Sequence, residues 1–339
     1  MKGSSSSGLV FARVVGEGVD LARVRLTDGA VAALVTTPDR DEAWPYWSEL
    51  ARRLVFEVGA INGRSPADLW LWLPNTGADQ PVTRTPRRSE RWASWSPVTT
   101  DFAFAFIGAG DESGVARSDV RSSGGAQVLA RATTTDFFLR PTFAPDGSRL
   151  VAQRRGPGGR GSNLWILSTE ESPRQITNDP EWFDFKAWFT RGGDRIVYSR
   201  RPASGGWHEI ASVDAKGDTL RRHAPFPESD AHSARPSPTR DEIAFVSNRA
   251  GAFDLYLASL DDDAEALRNL SGSPDRNEFA PRWSPDGELV VVTVVDEEHG
   301  LPRLTSLESL AGARIVVYDR SGQVRLDTEG FMPDWMPAW

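Results

Sequence analysis

A repeat of about 47 residues runs through almost the whole chain and restricts the folds that it can adopt. The clearest copy is PRWSPDGELVVVTVV at 281–295, and related copies are PTFAPDGSRLVAQ from Pro141 and AWFTRGGDRIVYS from Ala187. A period of this length indicates one supersecondary unit per repeat. The aromatic position of the repeat is held, at spacings of 46 to 48 residues, by Trp47, Trp95, Phe143, Phe189, Pro236 and Trp283.

Each copy is typical of a four-stranded antiparallel sheet. A first strand ends at the aromatic position, and a turn of the Ser-Pro-Asp-Gly type leads into a hydrophobic second strand such as 243–246. An Asp-Leu or Asn-Leu pair begins the third strand, and an aliphatic-Thr/Ser pair such as Ile176-Thr177 ends the fourth. This pattern predicts an all-β fold made of propeller blades.

The two ends of the chain complement each other. Residues 9–36 hold the second to fourth strands of a blade, and Pro333-Asp334-Trp335-Met336-Pro337 supplies the missing first strand. We therefore predict a seven-bladed β-propeller of four-stranded antiparallel blades, closed by a C-terminal innermost strand that joins the N-terminal strands. A six-bladed ring is the alternative. Residues 1–7 are predicted to be a flexible tail and residues 8–339 a single propeller domain.

Composition excludes several classes of site. The net charge of −8 argues against nucleic acid as a partner, and the lack of Cys excludes disulfides, thiolate metal sites and a cysteine nucleophile. The longest apolar stretches fall far short of the roughly 20 residues of a membrane-spanning helix. His208, His223, His232 and His299 occupy unrelated repeat positions, so we expect no metal site and no cofactor.

A family resemblance follows from the segment SARPSPTRDEIAFVSNRAGAFDLYLASLD at 233–261. It resembles the repeat of TolB-like propellers, the WD40-like PD repeat, which is also found in the propellers of prolyl oligopeptidases and tricorn-type proteases. The chain departs from TolB itself in its seven predicted blades and in having no segment that matches the N-terminal α/β domain. No G-x-S-x-G motif or hydrolase segment accompanies the repeats, so a complete prolyl oligopeptidase is not expected.

The resemblance implies a protein-binding role in the bacterial envelope. We expect a periplasmic or outer-membrane-associated protein whose precursor carries a signal or lipoprotein peptide before Lys2, with a lipid anchor in the second case. The predicted function is that of a non-catalytic scaffold that binds a protein or peptide partner. The alternative is a carbohydrate-active enzyme, a polysaccharide lyase or glycosidase, with its site in the central channel. Two carboxyl groups either about 5 Å or about 6.5 to 9.5 Å apart beside Trp44 or Trp92 would favour a glycosidase.

The candidate binding residues lie in the loops that lead into the first strands. Such loops surround one mouth of a propeller channel, and their acids, arginines and aromatics suit a protein or a carbohydrate. Capping of turns by the acids and a solvated arginine face are the alternatives. Asp261, Asp262 and Asp263 form a solvated turn or a calcium site. The predicted channel-mouth rim consists of Asp41, Glu42, Trp44, Glu90, Arg91, Trp92, Asp136, Arg140, Trp182, Asp184, Lys186, Asp230, His232, Glu278 and Phe279.

Overall fold

The computed structural model describes residues 8–59, 66–108, 113–120, 125–132, 135–156, 161–224, 228–261, 267–296 and 310–337. The predicted tail at residues 1–7, His299, Asp262, Asp263 and Trp339 lie outside the described residues. The elements with assigned bounds are 28 β-strands, in agreement with the predicted all-β fold. Within these ranges no helix has the length and apolar character needed to cross a membrane.

Five of the sheets have four antiparallel strands each. The sheet that contains the chain start has the order β28-β1-β2-β3, with β1 Gly8–Val15, β2 Gly18–Arg25, β3 Val31–Val35 and β28 Phe331–Met336. The next two contain β4 Glu42–Ser48, β5 Arg53–Val58, β6 Asp68–Leu73 and β7 Ala78–Pro81, then β8 Arg88–Trp95, β9 Asp101–Gly108, β10 Ser113–Asp119 and β11 Gln127–Arg131. The last two contain β20 Ala231–Pro236, β21 Glu242–Ser247, β22 Asp254–Ser259 and β23 Leu267–Asn269, then β24 Arg276–Trp283, β25 Leu289–Asp296, β26 Arg314–Asp319 and β27 Val324–Glu329.

The remaining eight strands form one hydrogen-bonded sheet. Its order is β12-β13-β14-β16-β17-β18-β19, and β15 pairs with β14. The two halves of this sheet meet at a single parallel pair, Ser162 with Phe183. The described sheets therefore number five of four strands and one of eight, where the sequence predicts seven of four. The bounds are β12 Phe137–Phe143, β13 Arg149–Arg155, β14 Ser162–Ser168, β15 Arg174–Gln175, β16 Trp182–Phe189, β17 Arg195–Pro202, β18 Glu209–Asp214 and β19 Leu220–Ala224.

The C-terminal strand β28 joins the N-terminal strands, as the repeat predicts. Its antiparallel partners in β1 bring Leu9 opposite Trp335 and Val10 opposite Asp334. Phe331 is fully buried, and Trp335 is 6% exposed. Because the first and last strands share a sheet, the ring leaves no unpaired strand edge between the chain ends.

The second strands of the sheets are buried on both faces because neighbouring sheets pack against each side. In β25, six successive residues from Val290 to Val295 are buried, so this strand is a continuous apolar run and does not alternate. The outer strand β3 alternates between exposed and less exposed residues. One cluster shows how sheets contact each other: Leu9 and Phe11 of β1 pack with Val291 and Ile315 of the β24–β27 sheet.

Tryptophans at the aromatic position of the repeat link neighbouring first strands. The indole N–H of Trp95 donates to the backbone oxygen of Tyr46 at 2.8 Å. Trp283 makes the same contact with Arg235 at 2.9 Å, and Trp335 makes it with Arg282 at 3.1 Å. Each indole therefore binds a backbone carbonyl group of the preceding first strand and fixes the two strands relative to each other.

Candidate functional site

A β-bulge interrupts each of seven first strands at the same repeat position. In β4, for example, the pairing register with β5 shifts between Ala43 and Tyr46, and the intervening Trp44 has φ of 51°. Non-glycine residues with positive φ are uncommon and cost about 1 to 3 kcal/mol each, and bulges re-aim the side chains around them. The residues with positive φ at this position, here called the bulge residues, are Trp44, Trp92, Arg140, Lys186, Ser233, Ala280 and Met332.

The bulges direct these seven residues towards one cavity. All of them line a space of about 100 Å³, here called the central cavity, to which the seven bulged strands contribute. Residues two positions further along six of the strands also line it, together with Ala93, Pro141, Ala234 and Pro333. The six residues two positions after a bulge are Tyr46, Ser94, Thr142, Trp188, Arg235 and Arg282.

One sector of the central cavity is aromatic. Trp44 and Trp92 come from the neighbouring strands β4 and β8, and Tyr46 lies two residues after Trp44. The guanidinium of Arg140 contacts both indoles, at 5.9 Å from the Trp44 ring centre and 5.4 Å from that of Trp92. Cations at such distances are attracted to the negative ring faces.

The following sector is cationic. Nζ of Lys186 donates to Oγ of Ser233 at 2.8 Å, and the guanidinium of Arg235 lies 3.6 Å from the ring centre of Trp188. Burial, together with the positive charges of Arg140 and Arg235, lowers the pKa of Lys186 to about 7. Burial also lowers the pKa of Arg140 and, more strongly, that of Arg235.

Two acidic groups beside the cavity are neutralised by arginines. A carboxylate oxygen of Asp334 lies 3.0 Å from Arg282, and the other accepts the backbone N–H of Trp47 at 2.8 Å. Glu57 lies 3.0 Å from Arg91 and accepts the backbone N–H of Trp92 at 2.7 Å. Burial raises the pKa of both carboxyl groups. The cavity lining itself contains no Asp or Glu among the described residues.

Four predicted rim acids occupy a different place, two residues before a bulge. Glu42, Glu90 and Glu278 are fully buried, and Asp184 is 1% exposed. Glu278 accepts hydrogen bonds from Ser271, Ser273 and the Tyr318 hydroxyl, at 2.6, 2.7 and 3.1 Å. These acids lie inside the sheet contacts and do not line the central cavity in the structure.

Similar hydrogen bonds form at two of the other three acids, whereas a buried carboxylate oxygen of Asp184 has no hydrogen-bond partner among the described residues. Glu42 accepts a hydrogen bond from Thr37, and Glu90 accepts bonds from Thr85 at 2.5 Å and Arg88 at 2.6 Å. Burial raises the pKa of Glu42 to about 8, of Glu278 to about 7 and of Asp184 to about 6. We call these four carboxyl groups, Glu42, Glu90, Asp184 and Glu278, the latch acids, because each joins its strand to the preceding part of the ring.

The other predicted rim residues are distributed around the cavity without lining it. Trp182 lies beneath Arg200 at 3.8 Å, and Asp41 accepts the backbone N–H of Val19 at 3.1 Å. Asp136 pairs with Arg154, and Asp230 pairs with His208. The buried His232 places Nδ1 2.9 Å from Oγ of Ser233, and Phe279 is 6% exposed. Of the fifteen predicted residues, the structure brings together Trp44, Trp92, Arg140 and Lys186 in the cavity lining.

The cavity residues that lie two positions after a bulge are not among the residues predicted from the sequence. A signal for them exists, because they occupy the variable position just before the aromatic of the repeat, as in Pro45-Tyr46-Trp47 and Pro281-Arg282-Trp283. Side chains alternate along a strand, so this position points away from the aromatic that packs between sheets. Within the described residues no group of three or more His, Cys, Asp or Glu is placed to hold a metal ion.

Comparison with known proteins identifies the fold. No family model matches the chain. A putative TolB from Agrobacterium tumefaciens superposes with a TM-score of 0.57 and 18% identity, over 81% of this chain and 100% of that one. The chain has a TolB-like β-propeller fold. The predicted resemblance to TolB-like propellers is thus confirmed at the level of the fold.

Enzymes have the same architecture. An oligogalacturonate lyase from Vibrio parahaemolyticus matches with a TM-score of 0.63 and 12% identity, over 88% of each chain. A prolyl endopeptidase matches with a TM-score of 0.70 and 12% identity, over 97% of this chain and 49% of that one. This chain thus spans about half of the prolyl endopeptidase. At these identities the likeness concerns the fold and carries no activity.

Proposed function

We propose that this protein is a non-catalytic binding propeller that holds a segment of a protein partner at its central cavity and the adjoining channel mouth. The observation that carries the proposal is the convergence of seven bulge residues, Trp44 and Trp92 among them, on one cavity. Rigid, half-buried indoles offer a large contact area with little conformational entropy to lose, which suits a peptide segment. The predicted rim residues Arg140 and Lys186, which line the same cavity, belong to the proposed surface, whereas the buried latch acids do not.

We place the number of blades at seven. The eight-stranded sheet counts as two blades in this proposal, because its halves meet only at Ser162 and Phe183. The seven bulges at one repeat position support the count, since each marks one innermost strand. Residues 8–339 then form one propeller domain.

The proposed location is the bacterial envelope, in the periplasm or at the outer membrane. Its support is the TolB-like fold. Fractionation of cells that express the full native coding sequence tests this. Recovery of the protein only with cytoplasmic markers would remove the proposal.

The decisive test compares capture of partners from envelope extract by three proteins. We expect the wild type to cross-link a protein that the Trp44→Ala/Trp92→Ala double variant fails to cross-link. Trp207→Ala is the matched control, because Trp207 is 47% exposed and does not line the cavity. Equal capture by the double variant and the wild type would contradict the proposed binding surface.

The alternative of a carbohydrate-active enzyme has one supporting observation, the shared architecture with oligogalacturonate lyase. The pair of carboxyl groups that a glycosidase needs is missing from the described cavity lining. Cleavage of polygalacturonate or another glycan by the wild type, abolished in the double variant, would favour the enzyme over the scaffold.

A further inference from the structure

The central cavity contains more positive charge than its surroundings neutralise. Arg140, Lys186 and Arg235 lie on the successive first strands β12, β16 and β20. In the part of the chain that the structure describes, no carboxylate lies within 4 Å of any of these three cations. Nη1 of Arg235 is buried and has no hydrogen-bond partner.

This excess is specific to the cavity. The chain carries a net charge of −8, and Arg282 at the edge of the same cavity is paired with Asp334. Burying an unpaired charge is strongly unfavourable, and replacement of buried ions by apolar residues is often neutral or stabilising. Contacts with Trp44, Trp92 and Trp188 offset only part of this penalty. The nearby carboxylates Glu57 and Asp334 act on Arg140 and Arg235 only from a distance, because they are already paired with Arg91 and Arg282. The three cations therefore lack the direct ion pair that a bound anion would provide.

We infer that the partner segment enters the central cavity with carboxylate side chains, which meet Arg140, Lys186 and Arg235 while flanking apolar groups contact Trp44 and Trp92. This inference rests on the proposed function and specifies the chemistry of the partner. Arginine guanidinium groups bind carboxylates through charge-assisted hydrogen bonds. A cavity of about 100 Å³ accommodates side chains of a peptide and not a folded domain.

The two sectors of the cavity favour an acidic peptide over a free anion. A small inorganic anion would use the cations and leave the indole faces without a partner. An acidic residue beside a leucine or phenylalanine would use both sectors at once. Inorganic phosphate and an acidic sugar are the competing occupants that the test distinguishes.

Lys186 makes the binding depend on pH. The groups that face it are Ser233, which accepts its hydrogen bond, the cations Arg140 and Arg235, and the buried His232. With a pKa of about 7, Lys186 loses its proton in the free protein as the pH rises above neutrality. A bound carboxylate favours the charged form, so affinity should fall between pH 7 and pH 9.

The test is calorimetric titration of the full chain with two blocked peptides. One contains two adjacent glutamates between leucines, and its twin has glutamines in their place. We expect the glutamate peptide to bind at least tenfold more tightly than the twin, with an affinity that falls as NaCl is raised. Arg140→Met, Lys186→Met and Arg235→Met should each weaken binding of the glutamate peptide about tenfold. The same variants should melt no lower than the wild type, which shows that they fold.

The control variant is Arg191→Met. Arg191 forms an exposed ion pair with Asp241 outside the cavity, so its loss should leave the peptide affinity unchanged. Equal binding of the two peptides, or undiminished binding by the three cavity variants, would overturn the inference. Binding of inorganic phosphate or trigalacturonate through the same cations, without binding of the glutamate peptide, would also overturn it.

The outcomes separate this inference from the proposed function. If a partner is captured in a way that depends on Trp44 and Trp92, but the glutamate peptide does not bind, the proposed scaffold function stands and the inference of an acidic partner segment is wrong. If capture does not depend on the two tryptophans, the proposed binding surface is wrong.

Discussion

The first strands carry two layers of functional groups that differ in their surroundings. Glu278 and Trp283 belong to a contact layer, in which side chains pack between sheets and their polar atoms have partners. Lys186 and Arg235 belong to a cavity layer, and neither has a carboxylate within 4 Å among the described residues. One to four positions along a strand separate the layers, because side chains alternate along the strand and the bulge changes their direction.

The difference shows that burial alone does not identify a binding residue. Burial raises the pKa of the latch acids, and such shifts often mark functional sites, yet these side chains pack between sheets and Glu278 accepts hydrogen bonds from neighbouring hydroxyl groups. One buried carboxylate oxygen of each of Glu42, Glu90 and Asp184 has no hydrogen-bond partner among the described residues. Burial lowers the pKa of Lys186 and Arg235, and neither has a carboxylate within 4 Å among the described residues to compensate for it. The missing carboxylate, and not the shift in pKa, therefore supports a binding role.

The largest expected effect separates a contact-layer indole from the cavity indoles. Trp283→Ala should lower the free energy of unfolding by about 3 to 5 kcal/mol, because it removes a large buried ring. The Trp44→Ala/Trp92→Ala double variant should lower it by no more than about 1 kcal/mol, since both rings border the cavity. Urea denaturation measures both. If the double variant is as destabilised as Trp283→Ala, the two layers are not distinct.

The second prediction concerns a latch acid. Glu278→Ala should lower the free energy of unfolding by about 3 kcal/mol, because Ser271, Ser273 and Tyr318 lose their common acceptor. Glu288→Ala in the same sheet is the matched control, since Glu288 forms an exposed pair with Arg240 and should change stability by less than about 0.5 kcal/mol. Similar unfolding midpoints for the two variants would show that the latch contributes nothing.

The sequence predicted the fold well because the repeat encodes it locally. The turn after Trp283, the apolar run of β25 and the aromatic strand at Trp335 each follow from short-range patterns. The pairing of β28 with β1 followed from the phase of the repeat alone. The joining of β14 to β16 at Ser162 and Phe183 had no counterpart in the pattern, since it depends on how two sheets approach each other.

The site was predicted less completely because a bulge is not visible in a composition pattern. Trp44, Trp92, Arg140 and Lys186 are predicted as neighbours of the strand entry, and they line the cavity. Glu42, only two residues before Trp44, is predicted for the same reason and is buried between sheets. In a regular strand residues two positions apart lie on the same face, so alternation alone does not distinguish Glu42 from Trp44, and it is the bulge that separates their side chains.

A third prediction removes the one acid that neutralises a cavity arginine. Asp334→Asn should cost about 2 kcal/mol of stability, because Arg282 becomes a fourth cation without an acidic partner. The same change should raise the affinity for the glutamate peptide severalfold. Titration calorimetry and urea denaturation measure the two quantities. Loss of stability with no gain in affinity would show that the charge of Arg282 does not reach the ligand.

The smallest expected effect is a gain in stability from Lys186→Met. The pKa of Lys186 is lowered from its usual 10.5 to about 7 in the folded protein, so the unfolded chain binds a proton that the folded chain releases between these values. Stability therefore rises with pH across the window from about 7 to 10.5, and the penalty is fully present below pH 7. The Lys186→Met variant has no such buried charge and therefore no such penalty, so it should be more stable than the wild type by about 1 to 2 kcal/mol at pH 7. Its advantage over the wild type should shrink towards zero by pH 10, as measured by urea denaturation at several pH values. An advantage that is independent of pH would mean that packing of the methionine, and not removal of the charge, stabilises the variant. The buried charge of Lys186 would then not lower the stability of the folded protein.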